Sequence, residues 1–167
     1  IIQGHEGFID VVTELDRGTA VYLYFSAFST DQYVIPHITN GTVPAGEGQL
    51  ILVVEDEMAI RQALTESLHL LNYQVIEAGN GREALTLLAL HSREIALVLS
   101  DAIMPEMGGT ALFHAMQERQ LNIPFIIMTG YAVDKDVENL RALGLLGWLT
   151  KPLDLAKLAH LLHQALN

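Results

Sequence analysis

Leu50-Ile51-Leu52-Val53-Val54-Glu55-Asp56 is an apolar run closed by two adjacent acids, and the arrangement recurs along the chain. Leu97-Val98-Leu99-Ser100 runs into Asp101, Phe125-Ile126-Ile127-Met128 into Thr129, and Trp148-Leu149-Thr150 into Lys151-Pro152. Continuous apolar runs that alternate with helical patterns indicate strands buried on both faces of a parallel sheet. In open parallel sheets the chemistry collects outside the carboxyl ends of the strands. Three acids, a hydroxyl and an ammonium are therefore expected to converge on one spot. Carboxylates there would hold a hard divalent cation, while the hydroxyl and ammonium would meet phosphate oxygens.

From Gln49 onward the pattern is regular. A strand at Leu50 to Val54 leads into a helix whose Ile60, Ala63, Leu64, Leu68 and Leu71 share one face at helical spacing. A short strand at Gln74 to Glu77 precedes a helix from about Gly81 that carries Ala84, Leu85, Leu88 and Ala89. The strand Ile95 to Ser100 is followed, after a Gly108-Gly109 break, by a helix through Met116. Pro124 to Met128 makes a fourth strand, with a helix through Val137, Leu140 and Leu143. Gly147 to Thr150 makes a fifth, and Asp154 can cap a last helix holding Leu155, Leu158, Leu161, Leu162 and Leu166. Five strands and five helices in alternation predict an α/β doubly wound parallel sheet, flavodoxin-like, with strand order 2-1-3-4-5.

Residues 1–48 read differently. Gly7 to Val12 and Thr19 to Phe25 are strand-like and flank a polar stretch, Glu14 to Gly18, that can turn, which predicts a β-hairpin over residues 1–28. Pro36, Pro44, Asn40-Gly41 and Gly46-Glu47-Gly48 identify residues 29–48 as a linker and leave 49–167 as the main domain. A lone hairpin is marginal in water. The chain also opens at Ile1 inside a strand pattern without an initiator methionine, as expected of a piece of something longer.

Bulk composition narrows the partners. With 167 residues, half of them hydrophobic, and a mean hydropathy of +0.30, the chain can bury a full core. The absence of cysteine excludes disulfides and thiolate metal sites and fits a cytoplasmic location. No apolar stretch reaches the roughly 20 residues needed to span a bilayer. A formal charge of −11 argues against nucleic acid and against direct contact with an anionic membrane. Proteins and a metal ion are the expected partners.

Asp101 is the strongest candidate for chemistry. A carboxylate at the tip of a buried strand is a fixed nucleophile, although an acid there can also simply start a turn. Glu55-Asp56 crowd negative charge beside it, which is costly unless a cation compensates; the same pair would also suit a helix amino terminus. Thr129 could merely cap a turn and Lys151 could be solvated. Three clustered carboxylates nevertheless give Lys151 a reason to point inward as a compact positive charge. His160 and His163, at i and i+3 on the last helix, have no local carboxylate to complete a metal site and are expected on the surface.

The blocks ILVVEDE, LSDAIMPEMGG, MTG and LTKP, in that order over residues 49–167, resemble the response-regulator receiver family. The resemblance implies that Asp101 accepts a phosphoryl group from a phosphohistidine. It implies Mg²⁺ held by Asp56, Asp101 and the backbone carbonyl of Ile103, with Glu55 acting through a water. It also implies that Thr129 and Lys151 contact phosphoryl oxygens, and proline permits a cis Lys151-Pro152 bond. Trp148 stands where the family places a Phe or Tyr that swings inward on activation, which implies a switch role with Thr129. The hairpin, through His5-Glu6-Gly7-Phe8-Ile9-Asp10-Val11 and Arg17-Gly18-Thr19, resembles the end of a histidine-kinase ATP-binding domain. Together the two resemblances imply the carboxyl-terminal receiver of a hybrid histidine kinase. The glycine-rich nucleotide loops and the phospho-accepting histidine block of a kinase core are not in these residues. Partners would be a histidine kinase or phosphotransfer protein, with homodimerisation compatible.

One rival is a non-phosphorylated interaction module that keeps the acids without using them. A second is a phosphatase or dehalogenase with an aspartyl nucleophile, which would want another acid two residues beyond Asp101. Ile103 stands there.

Overall fold

A computed structural model describes residues 8–14, 17–24, 43–130 and 135–166. The chain divides into two units, Ile1–Gly41 and Thr42–Asn167. The first holds an antiparallel hairpin of β1 (Phe8–Glu14) and β2 (Gly18–Tyr24), paired from Phe8↔Tyr24 to Glu14↔Gly18. Gly18 closes it at φ 96°, in the left-handed region glycine enters without strain. Thr13 and Thr19 hydroxyls meet across the strands at 2.8 Å. The pairing extends further towards the turn than Val12 and Thr19, while Gly7, Leu15, Asp16 and Phe25 lie outside the described residues.

The second unit runs β3 (Leu50–Val54), α1 (Met58–Leu70), β4 (Gln74–Ala78), α2 (Gly81–His91), β5 (Ile95–Asp101), α3 (Gly109–Glu118), β6 (Phe125–Thr129), α4 (Lys135–Ala142), β7 (Gly147–Thr150) and α5 (Leu155–Leu166). The sheet is wholly parallel in the order β4-β3-β5-β6-β7, which is 2-1-3-4-5 within this unit, as the sequence predicts. Alternation along the strands sorts the core into two layers. Ile51, Val53, Leu99 and Met128 pack on Leu64 and Leu68 of α1 and Leu158 and Leu162 of α5. Leu52, Val54, Val98 and Ile127 face Leu88 of α2, Phe113 and Met116 of α3 and Leu140 of α4. Ile95 and Leu97 share parity yet lie in opposite layers, because the register shifts between Leu50/Ile51 and β5 in a bulge.

Capping follows sequence rules. Asn80 Oδ1 accepts from the amides of Arg82 and Glu83, and Asp154 Oδ1 from those of Ala156 and Lys157. The expected helix through Leu143 ends earlier: Gly144 turns at φ 101° and the Leu145 amide returns to the Leu140 carbonyl, leaving Leu143 exposed. Ala63, Ala89 and Leu155, predicted on buried faces, lie at their exposed margins, because the apolar arc is narrower than the spacing alone suggests.

Residues 43–48, composed like a linker, are pinned to the domain. The Gly46 amide donates to the Leu71 carbonyl at 2.8 Å, the Gly48 amide to that of Asn72 at 2.9 Å, and Asn72 Nδ2 to the Gly46 carbonyl at 2.6 Å. Gly46 presses on the Tyr73 ring, where a side chain would collide. No helix among the described residues is long and apolar enough to cross a membrane.

Candidate functional site

The carboxyl ends of β3, β5 and β7 bring Glu55, Asp56, Asp101 and Lys151 together. One carboxylate oxygen each from Glu55, Asp56 and Asp101 lies within 4.8 Å of the others. Oxygen-only donors at that separation are a fit for a hard divalent cation rather than for a soft one. Lys151 Nζ donates to Glu55 Oε2 at 2.8 Å and to Asp101 Oδ2 at 2.9 Å, so one ammonium bridges two of the acids. The gradient in exposure is steep: the Glu55 side chain is 1% accessible, Asp101 14% and Lys151 24%, while Asp56 is open to solvent. Burial works to lower the Lys151 pKa, but the hydrogen bonds and charges of Glu55 and Asp101 outweigh it and hold it above its ordinary value.

Glu55 is satisfied on every side. Its amide donates to the Ala78 carbonyl at 3.1 Å, Oε1 accepts from the Glu57 amide at 3.3 Å, and its carbonyl accepts from Arg61 Nη1 at 2.5 Å. This resolves the electrostatic problem of a carboxylate inside the fold, which is tolerable only when paired and hydrogen-bonded. Asp101 ends β5, where its residue pairs with Met128 and the next amide, Ala102, donates to the Met128 carbonyl at 2.8 Å. The loop then folds back: the Gly109 amide donates to the Ala102 carbonyl, and a Cβ on Gly109 would overlap the Asp101 carbonyl oxygen. The Gly108-Gly109 pair therefore acts by close backbone approach, beyond breaking a helix.

Thr129 closes β6, half-buried, and its carbonyl accepts from the Lys151 amide at 2.7 Å. The two neighbouring strand ends are thus tied together. Lys151-Pro152 is cis. Ile103 is exposed in the loop after Asp101. Trp148 is half-buried on β7 with the Arg141 guanidinium 5.9 Å above its ring, a cation–π contact that links the end of α4 to this strand. His160 and His163 are exposed on α5. Arg61 and Glu77, which sequence reasoning passed over, adjoin the site: Arg61 Nη1 meets the Glu55 carbonyl and Arg61 Nε contacts Glu77 Oε2 at 3.2 Å.

The family model described as the response regulator receiver domain matches residues 51–163. Sensor kinase CckA of Brucella abortus is 32% identical over 170 residues, covering 95% of this chain and 18% of that protein. Regulatory protein AtoC of Escherichia coli K12 is 38% identical over 118 residues, 70% of this chain and 25% of the relative. The chain thus spans a quarter or less of the length of these relatives. Among solved structures, the Vibrio cholerae chemotaxis protein CheY4 superposes with a TM-score of 0.65 at 28% identity, covering 71% of this chain and 99% of its own. A signal receiver domain of an HD domain-containing protein from Pseudomonas fluorescens Pf-5 gives 0.64 at 33% identity, over 71% and 94%. With the matched fold and the acid cluster at its strand ends, the chain belongs to the response regulator receiver family and carries a receiver domain of two-component, phosphorelay signalling.

Proposed function

We propose that Asp101 is the phosphoacceptor of this receiver. The observation that carries the reading is the bridge from Lys151 Nζ to Asp101 Oδ2 and Glu55 Oε2, beside the open Asp56. An Asp101 oxygen attacks phosphorus, the N–P bond of a phosphohistidine breaks, and an acyl phosphate forms. The strand fixes the nucleophile, so the cost of positioning is met before the donor arrives. Lys151 accompanies Asp101 before transfer and meets a phosphoryl oxygen after it, with the Thr129 hydroxyl as a second contact. Asp56, Asp101 and the Ile103 carbonyl would hold Mg²⁺, with Glu55 acting through a water. When bound, Mg²⁺ offsets the negative charge that builds on the transferring oxygens. The convergence of the full acid and lysine set in one place weighs against an interaction module without phosphorylation.

The donor is a histidine kinase or a phosphotransfer protein, and the setting is cytoplasmic. Residues 1–28 are the end of a histidine-kinase ATP-binding domain, and the receiver follows from 49 after a linker whose last residues, 43–48, are held against it. In support, the likeness to sensor kinase CckA takes in 95% of this chain, more than the segment 51–163 alone. Thr129 and Trp148 form the switch: a new charge of about −2 beside Thr129 pulls on β6 and moves the Trp148 surroundings.

The test is labelling by acetyl phosphate with Mg²⁺, read by intact mass and by Trp148 emission. Wild type is expected to gain one phosphoryl group with a change in emission, and folded Asp101→Asn none. Equal labelling of the variant would overturn the assignment.

A further inference from the structure

The two acids of the β3–α1 loop repel each other and Asp101, so something has to hold their backbone towards the site. The structure points to Arg61, on the first turn of α1. Its Nη1 donates to the Glu55 carbonyl at 2.5 Å and reaches the Asp56 carbonyl at 3.5 Å, the limit of a hydrogen bond. Its Nε is taken by Glu77 Oε2 of β4 at 3.2 Å, and Glu77 is oriented in turn by the Thr65 hydroxyl on Oε1 at 2.7 Å. The Arg61 side chain is largely buried in this position. A planar guanidinium with donors in a fixed fork can grip two carbonyls on one edge and a carboxylate on the other.

We propose that Arg61 is a positioning residue for the metal site, with Glu77 as its brace. It grips the carbonyls of the acid pair while tied to Glu77 on β4, the strand on the other side of β3 from the one that carries Asp101. It thereby fixes the loop so that Glu55 and Asp56 face Asp101 without itself neutralising the site. The consequence is preorganisation: part of the ordering that a cation would otherwise impose on the loop is already met. This inference rests on the Mg²⁺ reading above and deepens it, by naming what sets the affinity.

Removing a group that orients metal ligands at one remove usually weakens metal binding by about tenfold to a hundredfold. Arg61→Met keeps the aliphatic stem and loses the fork, and roughly a tenfold weaker Mg²⁺ affinity is expected from calorimetric titration. Amide exchange over residues 55–57 in the metal-free protein should speed up at the same time. Arg61→Lys, a point charge without the fork, should recover only part of the affinity. Each variant is compared by its metal-free urea midpoint, since a role confined to the fold would lower that midpoint and leave Mg²⁺ affinity unchanged. Wild-type affinity in folded Arg61→Met overturns the proposal, and so does full recovery in Arg61→Lys, which would assign the effect to charge alone. Should Arg61→Met fail to fold, Glu77→Gln carries the test, because it leaves Arg61 in place and weakens only its brace; unchanged affinity there overturns the proposal equally. Wild type binding no Mg²⁺ would instead bring down the metal reading itself, so the two failures are distinct.

Discussion

Lys151→Met removes a charge that the structure places between two carboxylates, and its cost can be worked from the geometry. At 2.8 and 2.9 Å, with an effective dielectric of about 20, each contact represents about 6 kcal/mol of Coulomb attraction before desolvation is charged against it. Most of that is offset by taking the ammonium and the carboxylates out of water. The remainder shows as the cost of leaving a partner behind, about 3–5 kcal/mol when one half of a buried pair is deleted. Glu55 is the partner left in the interior, where its side chain also accepts from the Glu57 amide at 3.3 Å. Asp101 is nearer water and Asp56 is open, so relaxation there trims the figure to about 3 kcal/mol.

The assay is urea unfolding of wild type and Lys151→Met without metal, at neutral pH. The loss should be about 3 kcal/mol. Added Mg²⁺ should stabilise the variant, since a cation that binds only the folded state shifts the equilibrium by mass action. A metal-free loss under about 1 kcal/mol would refute the view that Lys151 neutralises a buried charge.

Tyr73→Phe should stabilise the domain by about 1 kcal/mol, because the Tyr73 hydroxyl is buried with no hydrogen-bond partner among the described residues. Burial raises the Tyr73 pKa, and its carboxylate partners raise that of Lys151 despite burial. Both contributions are therefore complete below the unfolded values near pH 10 and lost as pH rises through the folded ones. Alkaline unfolding curves should be shallower for Tyr73→Phe than for wild type, and coincident curves would count against the assignment. Gly109→Ala should cost about 2–3 kcal/mol in chemical denaturation, since its Cβ would strike the Asp101 carbonyl, and should slow phosphorylation by displacing the nucleophile. A variant as stable as wild type would show that the α3 start yields.

The strands were legible because a strand covered on both faces must be apolar throughout, so its first polar residue announces its carboxyl end. Glu55, Asp101, Thr129 and Lys151 are that first polar or charged residue, or within one of it, on β3, β5, β6 and β7. Strand order followed from alternation with helices, and the acid cluster from strand order. The bulge at β5 left no trace, since an extra alanine in an apolar run reads like any other residue. Residues 43–48 show what composition leaves out: at Gly46 the glycine supplies the absence of a side chain against Tyr73.

What the sequence withheld at the site has one physical cause. The identities of Glu55, Asp56, Asp101 and Lys151 were readable because successive buried strands end on them and a parallel sheet gathers those ends at one edge. The groups that hold them still are mostly backbone: the Ala78 carbonyl on the Glu55 amide, the Glu55 carbonyl under Arg61, the Met128 carbonyl on the Ala102 amide, and the Thr129 carbonyl on the Lys151 amide. Every residue carries such groups, so their use cannot be read from residue identity. Arg61 and Glu77 were hidden for the same reason, being 16 positions apart and aimed at carbonyls rather than at the acids' side chains. Sequence thus reveals which charges meet, and structure reveals how firmly they are held. Arg61→Met and Lys151→Met separate these two quantities: the first should alter cation affinity with the site's charges kept, and the second should alter the charge balance with the loop kept.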